Sequence, residues 1–92
     1  MLQLKTTSKF RKDLKRLVKQ NANLDKLETI INSLLAEEVL PRQNHDHELS
    51  GNYRGHRECH IEPDWLLIYH VNKKELILTA VRSGSHSELF NQ

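Results

Sequence analysis

The chain has 92 residues, of which 37% are apolar and 28% are charged, and its net charge is +2. These values are typical of a small soluble globular protein, and we expect one domain over residues 1–92. They exclude a membrane-spanning helix, since no apolar run is long enough, and the N-terminus lacks the apolar core of a signal peptide. The single cysteine, Cys59, excludes an intrachain disulfide and suits a reducing cytoplasm.

Basic residues cluster at the N-terminal end. Seven of the 14 lysines and arginines lie between Lys5 and Lys19, against one acid, Asp13. All six histidines follow later, between positions 45 and 86. This distribution indicates an anionic partner, and a basic face of this density is typical of binding to nucleic acid or to an acidic protein.

The first half predicts a strand and two helices. Leucines alternate with polar residues over 2–6, which favours a short strand, and Thr7 or Ser8 can then cap a helix. Apolar residues with helical spacing follow: Phe10, Leu14, Leu17 and Val18. Asn23 can cap a second amphipathic helix that ends before Pro41 and is defined by Leu24, Leu27, Ile30, Ile31, Leu34 and Leu35. We expect an antiparallel helical hairpin packed on a sheet.

The second half predicts three strands and a short helix. Residues 41–52 indicate a loop, and 53–61 a strand with His56, Glu58 and His60 on one face. Strands over 65–71 and 75–83 follow, separated by a turn at 72–74, and the pattern Ser85-x-x-Glu88 is typical of a capping box that opens a final helix. The predicted class is α+β, with the order βααβββα and an antiparallel sheet.

Titratable side chains are concentrated in residues 46–65. His47, His60 and, later, His86 lie beside predicted turns or strand ends, where functional sites are commonly built. Imidazole exchanges a proton near neutrality, so two histidines that flank a phosphodiester can serve as base and acid. Asp64 follows Pro63 and either closes the turn, orients a histidine or takes a proton itself. We therefore predict an acid–base site at His47, His60, Asp64 and His86.

Arginines and aromatic rings near these positions are candidates for substrate contacts. Arg82 ends an apolar strand just before a Ser-Gly-Ser turn, where its cation can hold a phosphate or simply be solvated. Trp65 and Phe90 are either core anchors or rings that stack on bases. Arg54 and Arg57, in the same stretch as the histidines, complete the predicted substrate-binding set.

Two other chemistries fit the pattern less well. His45-Asp46-His47 and Cys59-His60 have the composition of metal ligands, but the chain has no C-x-x-C, no H-E-x-x-H and no repeated zinc spacing. Cys59 lies mid-strand beside Ile61, where most cysteines act as small hydrophobes and not as nucleophiles. We therefore expect no metal and no other cofactor.

Three runs of residues carry a family resemblance. They are His47 to Gly51 (HELSG), Arg57 to Tyr69 (RECHIEPDWLLIY) and Arg82 to Phe90 (RSGSHSELF). Together they closely resemble the YafQ toxins, a branch of the RelE/ParE superfamily of bacterial type II toxin–antitoxin systems. His56 departs from the pattern, because an aromatic residue is expected there, and no role is assigned to it.

The resemblance implies a ribosome-dependent messenger-RNA endonuclease that cuts the codon in the A site without a metal, through attack by the RNA's own 2′-hydroxyl. The matching positions are His47, His60, Asp64 and His86 for proton transfer, Arg82 for the phosphate, and Trp65 and Phe90 around the bases. It also implies an acidic antitoxin of the DinJ/RelB type, which blocks the site and joins the toxin in repressing their shared operator DNA.

Two alternatives remain from the sequence. A ParE-type toxin on the same fold would inhibit DNA gyrase without cleaving RNA, and the histidine cluster would then be incidental. A small nucleic-acid-binding module would use the basic helix alone, and its affinity would fall steeply with salt.

Overall fold

The computed structural model describes residues 1–90 and contains a five-stranded sheet with three helices. Among these residues, none of the helices has the length and hydropathy needed to cross a bilayer. The elements in chain order are β1 (Gln3–Thr6), α1 (Ser8–Lys19), α2 (Leu24–Leu35), β2 (His47–Glu48), β3 (Arg57–Glu62), β4 (Trp65–Asn72), β5 (Ile77–Gly84) and α3 (His86–Phe90).

The sheet is mixed, with the order β1-β5-β4-β3-β2. β3, β4 and β5 pair antiparallel as neighbours in sequence, as predicted, and β2, which was not predicted, pairs antiparallel with β3. β1 instead pairs parallel with β5, so the prediction of a wholly antiparallel sheet was wrong at this edge. The reason is topological: β1 and β5 are far apart in sequence, and no hairpin turn forces them to run in opposite directions.

The two long helices begin at the predicted caps. The Thr7 side chain accepts a hydrogen bond from the Phe10 amide, and the Asn23 side chain accepts one from the Asp25 amide. Their apolar residues form one core with the strands, built around Phe10, Leu17, Leu27, Ile31, Leu34, Cys59, Trp65, Leu67, Tyr69, Leu78 and Ala80. Val18, which the helical spacing predicts on this face, is largely exposed. Asp13, which the spacing does not predict there, is buried.

A second, smaller core covers the opposite face of the sheet. Leu66 and Ile68 point to this side and pack against Leu89 of α3. Partly buried Leu49, Tyr53, Val81 and Phe90 surround them. Because both faces of β4 are covered, its sequence is apolar at nearly every position of Trp65–Tyr69.

Strand bounds in the second half differ from the prediction at three places. The predicted loop contains β2, and β3 begins at Arg57 because the His56 amide closes a turn on the Tyr53 carbonyl. β5 begins at Ile77 because the Asn72 side chain accepts from the Lys74 and Glu75 amides and lengthens the preceding turn.

Candidate active site

The sheet register brings the sequence-predicted histidines to one face. His60 is opposite Leu66, and His47 is opposite Glu58, so these side chains share the side of the sheet covered by α3. The capping box opens α3 as predicted, with Glu88 N–H donating to Ser85 Oγ and Ser85 N–H donating to Glu88 Oε1. The helix start presents His86 to His60.

His60 and His86 form the centre of the cluster, with ring centroids 6.0 Å apart. Nδ1 of His60 lies 3.2 Å from the carbonyl oxygen of Pro63. A carbonyl oxygen can only accept, so the proton of a neutral His60 ring lies on Nδ1 and the lone pair on Nε2. His60 is thereby oriented to accept a proton at Nε2.

The other side of His86 is occupied by a carboxylate. Nδ1 of His86 lies 4.0 Å from Oδ1 of Asp64, whose side chain is 80% exposed. The His86 ring also lies 6.0 Å from the ring of Phe90, which in turn meets Tyr53 edge-on at 5.8 Å. At 4.0 Å the carboxylate is too far for a direct hydrogen bond, and Nδ1 is the ring nitrogen that faces it.

His47 is held at both ring nitrogens. Nδ1 lies 2.6 Å from the His45 carbonyl oxygen, and Nε2 lies 3.1 Å from Oε2 of Glu58. When Glu58 is ionised both partners are acceptors, so both contacts are hydrogen bonds only if His47 is a cation. Both ring nitrogens of His47 therefore have partners, and neither is free to act as a base.

Glu58 is a residue that the sequence analysis placed on this face without giving it a role. It is only 4% exposed, and its Oε1 has no hydrogen-bond partner. Burying a carboxylate oxygen without a hydrogen-bond donor costs free energy. Such unpaired groups are common in sites that bind a ligand or a proton. The available signal in the sequence was an acid within the predicted strand, next to Cys59.

His45 is a second residue without a predicted catalytic role. It has a left-handed backbone, with φ 45° and ψ 48°, and its ring meets His60 edge-on at 5.4 Å. Both rings line a pocket of about 400 Å³. A strained backbone of this kind costs about 1 to 3 kcal/mol and is concentrated at functional sites.

Arg82 is close to the cluster but is already paired. Its Nε and Nη2 donate to the two carboxylate oxygens of Asp13 at 2.7 and 3.0 Å. Hydrogen bonding to Asp13 is the main cause that raises the pKa of Arg82. Nε and Nη2 of Arg82 therefore already donate to Asp13, and the predicted phosphate contact depends on the other N–H groups of the guanidinium.

Arg16 connects this ion pair to the helix that carries His86. Its guanidinium donates to Asp13 and to the Ser83 carbonyl, and its Nε lies 3.0 Å from Glu88 Oε2. Gly84 lies between these groups, where an added Cβ would collide with the Arg16 guanidinium. The glycine of the predicted Ser-Gly-Ser turn is therefore needed for close packing.

Three predicted substrate contacts do not join the cluster. Trp65 is 6% exposed and donates its indole N–H to Ser83 Oγ. Of the two alternatives, a core anchor and a ring that stacks on bases, it is the core anchor. Arg57 pairs in register with Tyr69 on the opposite face of the sheet and donates to Asp46, and its predicted substrate contact stays a prediction. Arg54 is exposed and makes no ion pair with any of residues 1–90.

Cys59 is fully buried in the larger core. Burial, with Asp46 and Glu58 nearby, raises the pKa of its thiol to about 12. The thiolate needed for nucleophilic attack is therefore scarce. Within the described part of the chain, no group of three or more His, Cys, Asp or Glu side chains is arranged to hold a metal ion.

Comparisons with known proteins show the family of the chain. A family described as "Bacterial toxin of type II toxin-antitoxin system, YafQ" matches residues 2–91. The mRNA interferase toxin YafQ of Escherichia coli K12 is 35% identical over 85 residues, which cover 91% of this chain and 90% of that protein.

The chain belongs to the YafQ family of type II toxins.

Solved YafQ-type structures share its fold. A metal-bound toxin from Helicobacter pylori is 47% identical with a TM-score of 0.93, covering 98% of this chain and 100% of that one. The toxin in the E. coli DinJ–YafQ complex is 32% identical with a TM-score of 0.89, covering 98% and 99%. The predicted family and α+β architecture are confirmed, and the residue roles stay predictions.

Proposed function

We propose that this YafQ-family toxin is a messenger-RNA endonuclease that acts on the codon in the ribosomal A site by acid–base catalysis. The observation that carries the proposal is the approach of His60 and His86, from separate elements, to 6.0 Å across one face of the sheet. The E. coli relatives that the chain matches over most of its length are named mRNA interferases, which supports the same substrate class.

The reaction needs only two proton transfers. The 2′-hydroxyl of the RNA attacks the adjacent phosphorus, the O2′–P bond forms and the P–O5′ bond breaks. The products are a 2′,3′-cyclic phosphate and a 5′-hydroxyl. A base removes the 2′ proton, and an acid protonates the departing 5′ oxygen; each contributes about a hundred- to ten-thousand-fold. No step requires a metal ion or another cofactor.

The geometry favours His60 as the base among the three candidates. Its Nδ1 faces the Pro63 carbonyl, which leaves the lone pair of a neutral ring on Nε2. His47 has acceptors at both nitrogens, and Asp64 is mostly exposed and lies beside His86. His86, with a carboxylate at Nδ1, is the acid, and His47 with Arg82 supplies positive charge for the phosphate.

The proposed toxin has three partners, which are the RNA bases, the ribosome and an acidic antitoxin. Phe90, next to His86, is the ring best placed to stack on a base. The exposed lysines of α1 meet the phosphates of the ribosome. An acidic antitoxin covers the basic and histidine-rich surface, and through it the toxin joins operator DNA. The E. coli relative YafQ forms a complex with DinJ, which supports a partner of this kind. Translation places this activity in the cytoplasm.

Primer extension on messenger RNA after induction tests the proposal. The wild-type toxin should leave new 5′ ends within codons, and His86→Ala should leave none while still binding its antitoxin. His70→Ala is the matched control, because His70 contacts only the ring of His56 among the histidines. Growth arrest with intact messenger RNA and damaged DNA would instead identify a gyrase inhibitor.

A further inference from the structure

The loop that carries His45 and His47 is fixed to the far side of the sheet by the residue between them. Asp46 Oδ1 accepts hydrogen bonds from the Tyr69 hydroxyl at 2.5 Å and from Arg57 Nε at 3.2 Å. Tyr69 is 2% exposed and belongs to the core under the helices. Asp46 therefore points away from the histidine face, while both of its neighbours turn toward it.

The loop has a second anchor on the other side of His45. Asn44 is buried and donates from Nδ2 to the carbonyl oxygen of His60 at 2.7 Å. With Asn44 and Asp46 both fixed, the backbone between them is held in the left-handed conformation of His45. That conformation directs the His45 carbonyl to Nδ1 of His47.

We infer that Asp46, clamped by Tyr69 and Arg57, is a positioning residue that sets the geometry of His45 and His47 from the opposite face of the sheet. The inference rests on the proposed function for its kinetic consequence. It assigns Arg57, which the sequence placed among the substrate contacts, to the support of the site.

A purely structural role explains the clamp less well. A phenylalanine at position 69 would fill the core equally, whereas the buried hydroxyl of Tyr69 is costly unless it is paired. Burial, together with the hydrogen bond to Asp46, raises the pKa of Tyr69 above its ordinary value, which keeps its hydroxyl a donor. The Tyr69 hydroxyl therefore remains a hydrogen-bond donor to Asp46 at neutral pH.

Kinetics in two backgrounds test the inference. Tyr69→Phe and Asp46→Asn should each slow single-turnover cleavage of ribosome-bound messenger RNA by about ten- to a hundred-fold, since a small displacement of a catalytic group has this effect. In a His47→Ala background the same changes should slow the residual cleavage less than about threefold, because residues that act through one another are not additive. Equal losses in both backgrounds would overturn the inference.

Thr7→Val is the matched control. It removes a tertiary hydrogen bond, from Thr7 Oγ1 to the Val81 carbonyl, together with the cap on the Phe10 amide, at a place remote from the loop. We expect it to lower the melting temperature about as much as Tyr69→Phe does and to leave the cleavage rate within about twofold of wild type.

A measurement on the free toxin separates this inference from the proposed function. Nitrogen-15 spectra of the imidazoles should show the His47 resonances displaced in Asp46→Asn and unchanged in Thr7→Val. Unchanged His47 resonances in Asp46→Asn would overturn the positioning role whether or not the protein cleaves RNA. A wild-type toxin that cleaves no RNA would overturn the function alone.

Discussion

The groups next to each ring distinguish three histidines that are alike in sequence. Nδ1 of His60 faces a carbonyl, Nδ1 of His86 lies 4.0 Å from a carboxylate, and His47 contacts a carbonyl and a carboxylate. The carbonyl acceptor places the proton of a neutral His60 ring on Nδ1, whereas the roles proposed for His86 and His47 rest on the carboxylates beside them. These differences arise from backbone carbonyls and side chains brought in by β2, β3 and α3, which residue types alone do not reveal.

Cys59 gives a prediction at the same scale. Because its thiol is buried and its pKa is raised to about 12, it should resist alkylation by iodoacetamide at pH 8 in the folded toxin and react at once in urea. Mass spectrometry after timed quenching measures both rates. Rapid labelling of the native protein, or loss of cleavage in Cys59→Ala, would contradict its role as a core residue.

At the scale of elements, one buried carboxylate ties α1 to the end of β5. Asp13 is 2% exposed and accepts from Arg82, Arg16 and the amide of Ser83. Burial alone would raise the pKa of Asp13, but the hydrogen bonds from Arg82, Ser83 and Arg16 outweigh it and hold the pKa below its ordinary value. The network orients Arg82 and, through Arg16, the helix that carries His86.

Asp13→Ala should destabilise the toxin by about 3 kcal/mol or more, since it leaves a partly buried Arg82 without its partner. A carboxylate with a lowered pKa stabilises the fold above its unfolded pKa, near 4, and this contribution is lost as pH falls through the folded value. Urea unfolding from pH 2 to 7 should therefore show a shallower acid limb for Asp13→Asn than for wild type. Parallel pH profiles for the two proteins would contradict this account.

Glu88→Gln provides a graded comparison. The hydrogen bond that the Ser85 amide donates to the Glu88 carboxylate is the main cause that lowers the pKa of Glu88. The Glu88 side chain is 29% exposed. Screening by solvent weakens its pair with Arg16, so the loss of stability should be smaller than for Asp13→Ala. The same urea titrations measure it, and a larger loss would mean that α3 docking depends on Glu88 more than on Asp13.

For the whole molecule, the lysines on α1 form a surface separate from the histidine face. Lys12, Lys15 and Lys19 are exposed and make no ion pair with any of residues 1–90. Lys12→Glu with Lys15→Glu should weaken binding to ribosomes and reduce its dependence on salt, while the melting temperature stays near that of wild type. Filter binding over a salt series measures this, and an unchanged salt slope would exclude α1 from the contact.

Much of the fold was predictable because local signals agreed. Caps at Thr7 and Asn23, the capping box at Ser85 and the apolar run of β4 each specify one element. The parallel pairing of β1 and the short strand β2 were not predictable, because both depend on contacts between distant segments. At the site, His60, His86 and Asp64 came together as expected, whereas the roles of Glu58 and His45 depend on burial and backbone conformation.

The most direct test of the central claim uses a messenger RNA whose scissile 5′ oxygen is replaced by sulfur, bound in the ribosomal A site. A thiolate leaves without being protonated, so an enzyme that lacks only its general acid recovers on this substrate. The account predicts that His86→Ala cleaves it at a rate within about tenfold of wild type while His60→Ala stays inactive. Failure of His86→Ala to recover, or equal recovery by both variants, would contradict the assignment of acid and base.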